Sequence, residues 1–158
     1  MSWLSRLMGG KSDSEQKSQR LDYLKEALAL ERQGDFDAAL TSYRLALREK
    51  PDDVRILENM AIAYTRMKRG DEAIRCYRRA LELAPTLPAA HYGLGFILLK
   101  RGDREGAQQH LESFLASPPN GTDMTAWIAA AREALEHLKV PPAPIEPAKN
   151  REPPALER

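Results

Sequence analysis

Residues 70–85 read GDEAIRCYRRALELAP, and the pattern they carry returns on both sides at a fixed interval. Moving 34 residues back from Ala73, Tyr77, Ala80, Leu81 and Pro85 gives Ala39, Tyr43, Ala46, Leu47 and Pro51, an identity at every place. Moving 34 forward gives Ala107, Leu111, Phe114, Leu115 and Pro119, which keeps the alanine, the apolar places and the proline. A period this strict marks an array of helical units, each leaning on the next. Such an array offers a surface for holding another molecule and does not by itself specify which.

Each unit contains two apolar-periodic segments separated by a glycine turn: Gln33-Gly34-Asp35, Arg69-Gly70-Asp71 and Arg101-Gly102-Asp103. Glycine supplies the backbone conformation that reverses the chain. The aspartate after it is placed to accept from the free N–H groups opening the second helix. All three aspartates are therefore expected to be caps. The prolines close the units, and Pro88 suits a first helical turn, where its missing N–H costs nothing. Ala27, Ala61 and Gly95 on the first helices face Ala39, Ala73 and Ala107 on the second, so paired axes can come close. Leu30, Tyr64 and Leu98, with Tyr43, Tyr77 and Leu111, fill the space between layers.

On these residues the chain resembles the tetratricopeptide repeat family, whose 34-residue helix-turn-helix unit matches Ala61, Gly70, Ala73, Tyr77, Ala80 and Pro85 in the middle repeat. The resemblance runs from Leu21 to Pro119. It implies an all-α, right-handed superhelical solenoid of paired antiparallel helices. Repeats are expected at about 20–53, 54–87 and 88–121. There are departures: Glu26 occupies a usually apolar site, and His91 stands where tryptophan is common and Phe114 replaces a late alanine, so the third repeat is expected to pack its neighbour differently. Gly70 lies two places later in its repeat than Gly34 and Gly102 do in theirs, so that turn is expected to differ in shape.

The segments outside the array read differently. Residues 1–20 comprise an apolar start, MSWLSRLM, and a polar run, GGKSDSEQKSQR, too polar to support a core and expected to be a linker. Trp3 and Leu7 lie four apart, as do Leu4 and Met8, which makes a short amphipathic turn that needs a membrane, a partner or the protein's own groove to fold on. Residues 122–139 carry Met124, Trp127, Ile128, Ala131, Leu135 and Leu138 on one stripe, as befits a helix capping the last repeat. Residues 140–158 hold six of the eleven prolines without apolar periodicity and read as an extended tail, with a short proline-rich stretch at 144–149. Asn120-Gly121-Thr122 spells a glycosylation acceptor but reads as a loop.

Composition narrows the function. A formal net charge of +1 argues for neither nucleic acid nor membrane as an obligatory partner. A single cysteine, Cys76, cannot form an internal disulfide and reads as a packing thiol in a reducing compartment. No apolar run approaches the ~20 residues that span a bilayer, and no secretory signal is legible, so a cytoplasmic location is expected. No phosphate loop or nucleophile–base–orienter set appears, and His91 on the core-facing side, His110 on the outside of a second helix and His137 on the terminal helix show no metal-ligand spacing. The expected protein is not an enzyme and needs no cofactor, metal or small-molecule substrate.

In the resembled family the concave face of the first helices holds a partner's peptide or helix. Stepping by 34 puts Leu21, Leu24, Leu28, Arg55, Glu58, Asn59, Ile62, Arg66, Tyr92, Phe96, Leu99 and Lys100 on or beside that face. An apolar strip with a charged rim suits an amphipathic helix or an extended apolar segment, with Tyr92 and Phe96 as anchors. One branch of the family grips the C-terminal carboxylate of heat-shock chaperones with two lysines, an arginine and two asparagines. The matching places here are Leu24, Leu28, Asn59, Ala89 and Gly93, so that clamp is absent. The basic run Arg66, Lys68, Arg69, Arg75, Arg78 and Arg79 reads mainly as a solvated face. The expectation is a non-catalytic adaptor or scaffold with a protein or peptide partner. An alternative makes it a peripheral assembly factor on the inner face of a membrane, using residues 1–8 and the basic run.

Overall fold

The computed structural model describes residues 13–119 and 124–140, with side chains described from Tyr23 onward. The N-terminal amphipathic stretch, the Asn120-Gly121-Thr122 loop and the proline-rich tail from 141 lie outside the described residues. Among the described residues seven helices follow one another: α1 (Asp13–Arg32), α2 (Phe36–Glu49), α3 (Val54–Arg66), α4 (Gly70–Leu83), α5 (Pro88–Lys100), α6 (Arg104–Ala116) and α7 (Thr125–Lys139). No strand occurs among the described residues. The first helix begins at Asp13, so residues 13–20, expected to belong to a linker, instead open α1 ahead of Leu21, where the apolar pattern starts.

Helix packing follows the 34-residue pattern. The chain pairs α1 with α2, α3 with α4 and α5 with α6, and successive pairs meet through α2–α3, α4–α5 and α6–α7, which makes a helical solenoid. The small residues sit where the axes approach: Ala27, Ala61, Ala39, Ala73 and Ala107 are all 0% exposed. At Gly95 an added Cβ would lie 2.7 Å from Leu111 Cγ, so the third pair is closer than even alanine allows. Tyr43, Leu111 and Phe114 fill the layers between pairs and are fully buried. Burial of such side chains is worth roughly 1.5–3 kcal/mol each and holds the layers together.

Two of the three turn aspartates cap as expected. Asp35 accepts from Ala38 N at 3.1 Å and Asp103 from Gly106 N at 2.9 Å. The third, Asp71, does not: α4 starts at Gly70, which puts Asp71 inside the first turn, where it pairs with Arg101 at 2.7 Å. Arg69 takes the cap position without a side-chain cap and binds Glu72 at 2.6 Å. Asp53 caps α3 through Arg55 N at 3.1 Å.

The displaced glycine leaves the turn shape unchanged, contrary to expectation. Gly34 and Gly102 have φ +82° and +81°, and the equivalent place in the middle repeat is held by Lys68 with φ +61°. The turn hydrogen bonds repeat in all three: Asp35 N to Leu30 O, Arg69 N to Tyr64 O and Asp103 N to Leu98 O, at 3.0, 2.9 and 3.0 Å. A lysine therefore adopts the left-handed conformation that an L-residue normally avoids.

Phe114 marks where the array ends. At this place in the earlier repeats stand Ala46 and Ala80, whereas Phe114 is packed with Leu111 against Ala131 and Ala134 of α7. A bulky residue there gives α7 an apolar seat, so the third repeat does pack its neighbour differently. Arg104 then holds the end of α7, donating to Leu138 O at 2.8 Å and Val140 O at 2.7 Å, carbonyls the helix itself leaves open.

Candidate functional site

Helices α3 and α5 each turn a small-residue face toward their partners α4 and α6, and their other faces line a shared hollow. A pocket of about 370 Å³ lies there, with Ile62, Thr65 and Arg66 from α3, Tyr92, Phe96 and Lys100 from α5, Tyr77 beneath and Trp127 from α7. The walls are mainly apolar, and Arg66 and Lys100 give the rim its charge. A second hollow of about 480 Å³ adjoins it, lined by Leu28, Glu31, Arg32, Phe36 and Asn59, and again by Arg66. Arg66 lines both, so the two hollows adjoin at α3 and together form a trough across the three repeats.

Aromatic contacts shape the deeper end. The Tyr92 ring lies 4.7 Å from Phe96, 5.1 Å edge-on from Phe114, and 4.7 Å from Trp127 in a stacked arrangement. Such contacts favour one ring geometry and stiffen the wall. Gly93 completes the floor: a Cβ there would come within 2.5 Å of Tyr77 Cζ, so only glycine lets the Tyr77 ring lie against α5. Burial raises the phenol of Tyr92 above its ordinary value and pushes Tyr77 up to about 12, so neither ionises near neutrality.

The sequence-expected residues divide. Ile62, Arg66, Tyr92 and Phe96 meet in the first hollow, and Leu28 and Asn59 in the second. Leu24 packs against the core, and Leu99 against both the main core and the α7 cluster, away from the walls of either hollow. Arg55 projects into solvent, its side chain 73% exposed, held by Asp53 at 3.3 Å. Glu58 is half-buried, and desolvation raises its carboxyl above the usual range.

Sequence reasoning placed Trp127 on the inner stripe of the capping helix, yet it is 40% exposed and forms a wall of the trough. The stripe of α7 is wide enough to straddle two surfaces. Ala131 and Ala134 take the core, and Trp127, one turn earlier, meets Tyr92. Only the packing angle of α7, invisible in the repeat pattern, separates those roles.

The histidines also depart from expectation. His110, expected on the outside, is half-buried with its Nδ1 3.0 Å from His91 Nδ1, and His91 Nε2 lies 2.9 Å from Pro85 O. That last contact requires His91 Nε2 to carry a hydrogen; in the neutral pair His110 then donates to His91. No third metal-ligating group joins them, and no cluster of three or more such residues occurs among the described residues. In the basic run, Arg69 is neutralised by Glu72, and Arg79 by Asp52 and Glu82. The patch is thus less positive than its composition implies. No described helix is long and apolar enough to cross a membrane.

Known proteins with this pattern share both sequence and shape. The tetratricopeptide repeat family matches residues 24–88 and again residues 69–131. A peroxisomal targeting signal receptor of Eremothecium gossypii is 33% identical over 82 residues, covering 52% of this chain and 14% of that protein. The photosystem I assembly protein Ycf3 of Prochlorococcus marinus is 36% identical over 108 residues, 63% of this chain and 61% of that one. The match therefore spans less than two thirds of the length of these relatives. Among solved structures, the Yersinia enterocolitica type III secretion chaperone SycD, in complex with a peptide of the translocator YopD, superimposes with a TM-score of 0.70 at 17% identity, over 82% of this chain and 95% of that one. The first such module of Spaghetti (RPAP3), bound to an HSP90 peptide, gives 0.67 at 21% identity, over 78% of this chain and 95% of that one. With the period, the paired helices and both sequence matches in agreement, the chain belongs to the tetratricopeptide repeat family.

Proposed function

We propose that this protein is a non-catalytic interaction adaptor that holds a segment of a partner protein in the trough between α1, α3, α5 and α7. The observation that carries the reading is the hollow at Ile62, Tyr92, Phe96 and Trp127, a preformed apolar site with charge only at its rim. Stiffened aromatic walls lower the ordering cost of binding, which is how a small surface reaches useful affinity. Micromolar binding, about −8 kcal/mol, is reasonable for a trough of this length. Peptide complexes of SycD and of the RPAP3 module support a protein ligand. The chemistry of capture differs from a carboxylate clamp, because Leu24, Leu28, Ala89 and Gly93 occupy the clamp places.

The test is a crosslinked pull-down from the native cell with the intact chain and with Tyr92→Ala combined with Phe96→Ala. Partner capture is expected to disappear while far-ultraviolet helicity stays. Because Tyr92 also seats Trp127, a second variant, Trp127→Ala, separates loss of wall from loss of fold. Capture that survives in both would move the site to the outer helices or the tail.

A further inference from the structure

Two histidines meet at the junction of the second and third repeats. His91 of α5 and His110 of α6 are both half-buried, with their Nδ1 atoms 3.0 Å apart and their ring centres 5.2 Å apart, so the rings meet head-on, nitrogen to nitrogen. His91 Nε2 lies 2.9 Å from Pro85 O, in the turn that leaves α4. A carbonyl only accepts, so that nitrogen carries a hydrogen, and in the neutral ring Nδ1 is then bare. The bare nitrogen accepts from His110 Nδ1–H, which leaves His110 Nε2 as the free proton site of the pair. Two hydrogen bonds in series therefore run from α6 through α5 to the α4–α5 turn.

This arrangement has room for one extra proton and not for two. A first proton on His110 Nε2 keeps the Nδ1–H···Nδ1 bond and puts a charge on its donor, which strengthens it. A second must sit on His91 Nδ1, and two N–H groups then point at each other where one hydrogen had been shared. The surroundings do little to relieve that charge. Of the groups acting on His110, Arg78 of α4 adds a further cation, and the opposing Asp103 carboxylate at the head of α6 is already engaged by the Gly106 N–H at 2.9 Å. The remaining neighbour of α6, α7, meets it through the apolar Leu111 and Phe114. Burial opposes charge on His110 as well.

We propose that His91 and His110 form an acid-released latch between the second and third repeats, closed while the rings share a hydrogen and opened when each Nδ1 carries its own. One rigid ring makes both of the His91 bonds, so turning Nδ1 away from His110 also draws Nε2 off Pro85 O. The second proton thus releases α5 from the α6 side chain and from the α4–α5 turn together. Histidine is the side chain whose charge changes in the mildly acidic range, and a pair this close titrates as a unit in two separated steps. The trough walls come from both sides of this junction, Ile62 and Arg66 on one and Tyr92 and Phe96 on the other. Release is expected to loosen the trough; that consequence rests on the adaptor reading, and the latch itself does not.

Proton–nitrogen correlation spectra of the imidazole rings in the intact, isotope-labelled chain, taken from about pH 8 to about pH 4.5, read tautomer and charge at each histidine, with the exposed His137 as the ordinary one. At the upper end His110 is expected as the Nδ1–H tautomer and His91 as the Nε2–H tautomer. On acidification the pair should take its second proton more than about one pH unit below His137, with the amide shifts of that step centred on the α4–α5 turn, α5 and α6. His110→Asn puts an uncharged amide at the Nδ1 place, able to donate or to accept. It should remove that step and its amide shifts and leave the spectrum at neutral pH folded. His110 in the Nε2–H tautomer, or both rings titrating independently alongside His137, would overturn the shared hydrogen. The same amide shifts persisting in His110→Asn would place the acid response elsewhere and overturn the latch.

Discussion

Lys68→Gly should make this protein more stable, although it removes an ordinary surface lysine from the middle of the array. Lys68 is exposed and has φ +61°, at the place where the flanking turns use Gly34 and Gly102. An L-residue in the left-handed region costs about 1–2 kcal/mol. Glycine removes that cost but brings about 0.5–1 kcal/mol of extra backbone entropy in the unfolded chain. The net gain is about 0.5–1 kcal/mol. For a domain of this size that raises Tm by roughly 2–5 °C and moves the urea midpoint upward without altering the slope. The reciprocal changes isolate the same effect. A Cβ added at Gly34 or Gly102 meets nothing within 4 Å, so Gly34→Ala and Gly102→Ala introduce backbone strain and no clash. Each should lower stability by about 1 kcal/mol. A lower urea midpoint in Lys68→Gly, or no change in either reciprocal variant, would refute the claim that one turn geometry is imposed on all three repeats.

Further outcomes follow from single contacts. Gly93→Ala gains about 1 kcal/mol in helix propensity but drives a Cβ into the buried Tyr77 ring, an overpacking that costs about 1–3 kcal/mol, so urea unfolding should show a net loss of about 1 kcal/mol. Burial, then the neighbouring His91 and Arg78, hold His110 below its ordinary value of 6.5, with Asp103 opposing. The unfolded chain then takes the proton more readily, so this group's contribution to stability falls as pH drops from about 6.5 toward the folded value; urea midpoints of His110→Gln against wild type should converge in that window. Burial likewise raises the Cys76 thiol, so a disulfide reagent at neutral pH should modify the folded protein far more slowly than the urea-unfolded chain.

The repeat pattern made the fold legible because its signals are local. Ala39, Ala73 and Ala107 are small because helix axes must meet there, and that demand recurs every 34 residues. What escaped depended on residues that break the period. Lys68 holds a glycine conformation without being glycine, and Asp71 loses its cap role because Gly70 lies inside α4. His110 reads as an outer-face residue until its ring is seen against His91 from the preceding helix. The trough was partly legible: Ile62, Arg66, Tyr92 and Phe96 share a face of successive first helices. Trp127 and Gly93 were not, since one depends on the angle of a capping helix outside the repeat and the other on the ring it accommodates.

The most direct test of the trough as the partner site is photocrosslinking in the native cell, with a benzophenone amino acid placed at Phe96 in one protein and at Arg78 on the outer helix in another. The trough position is expected to give a discrete covalent adduct with a partner protein, and the outer position none. An adduct from Arg78 with none from Phe96 would contradict the account.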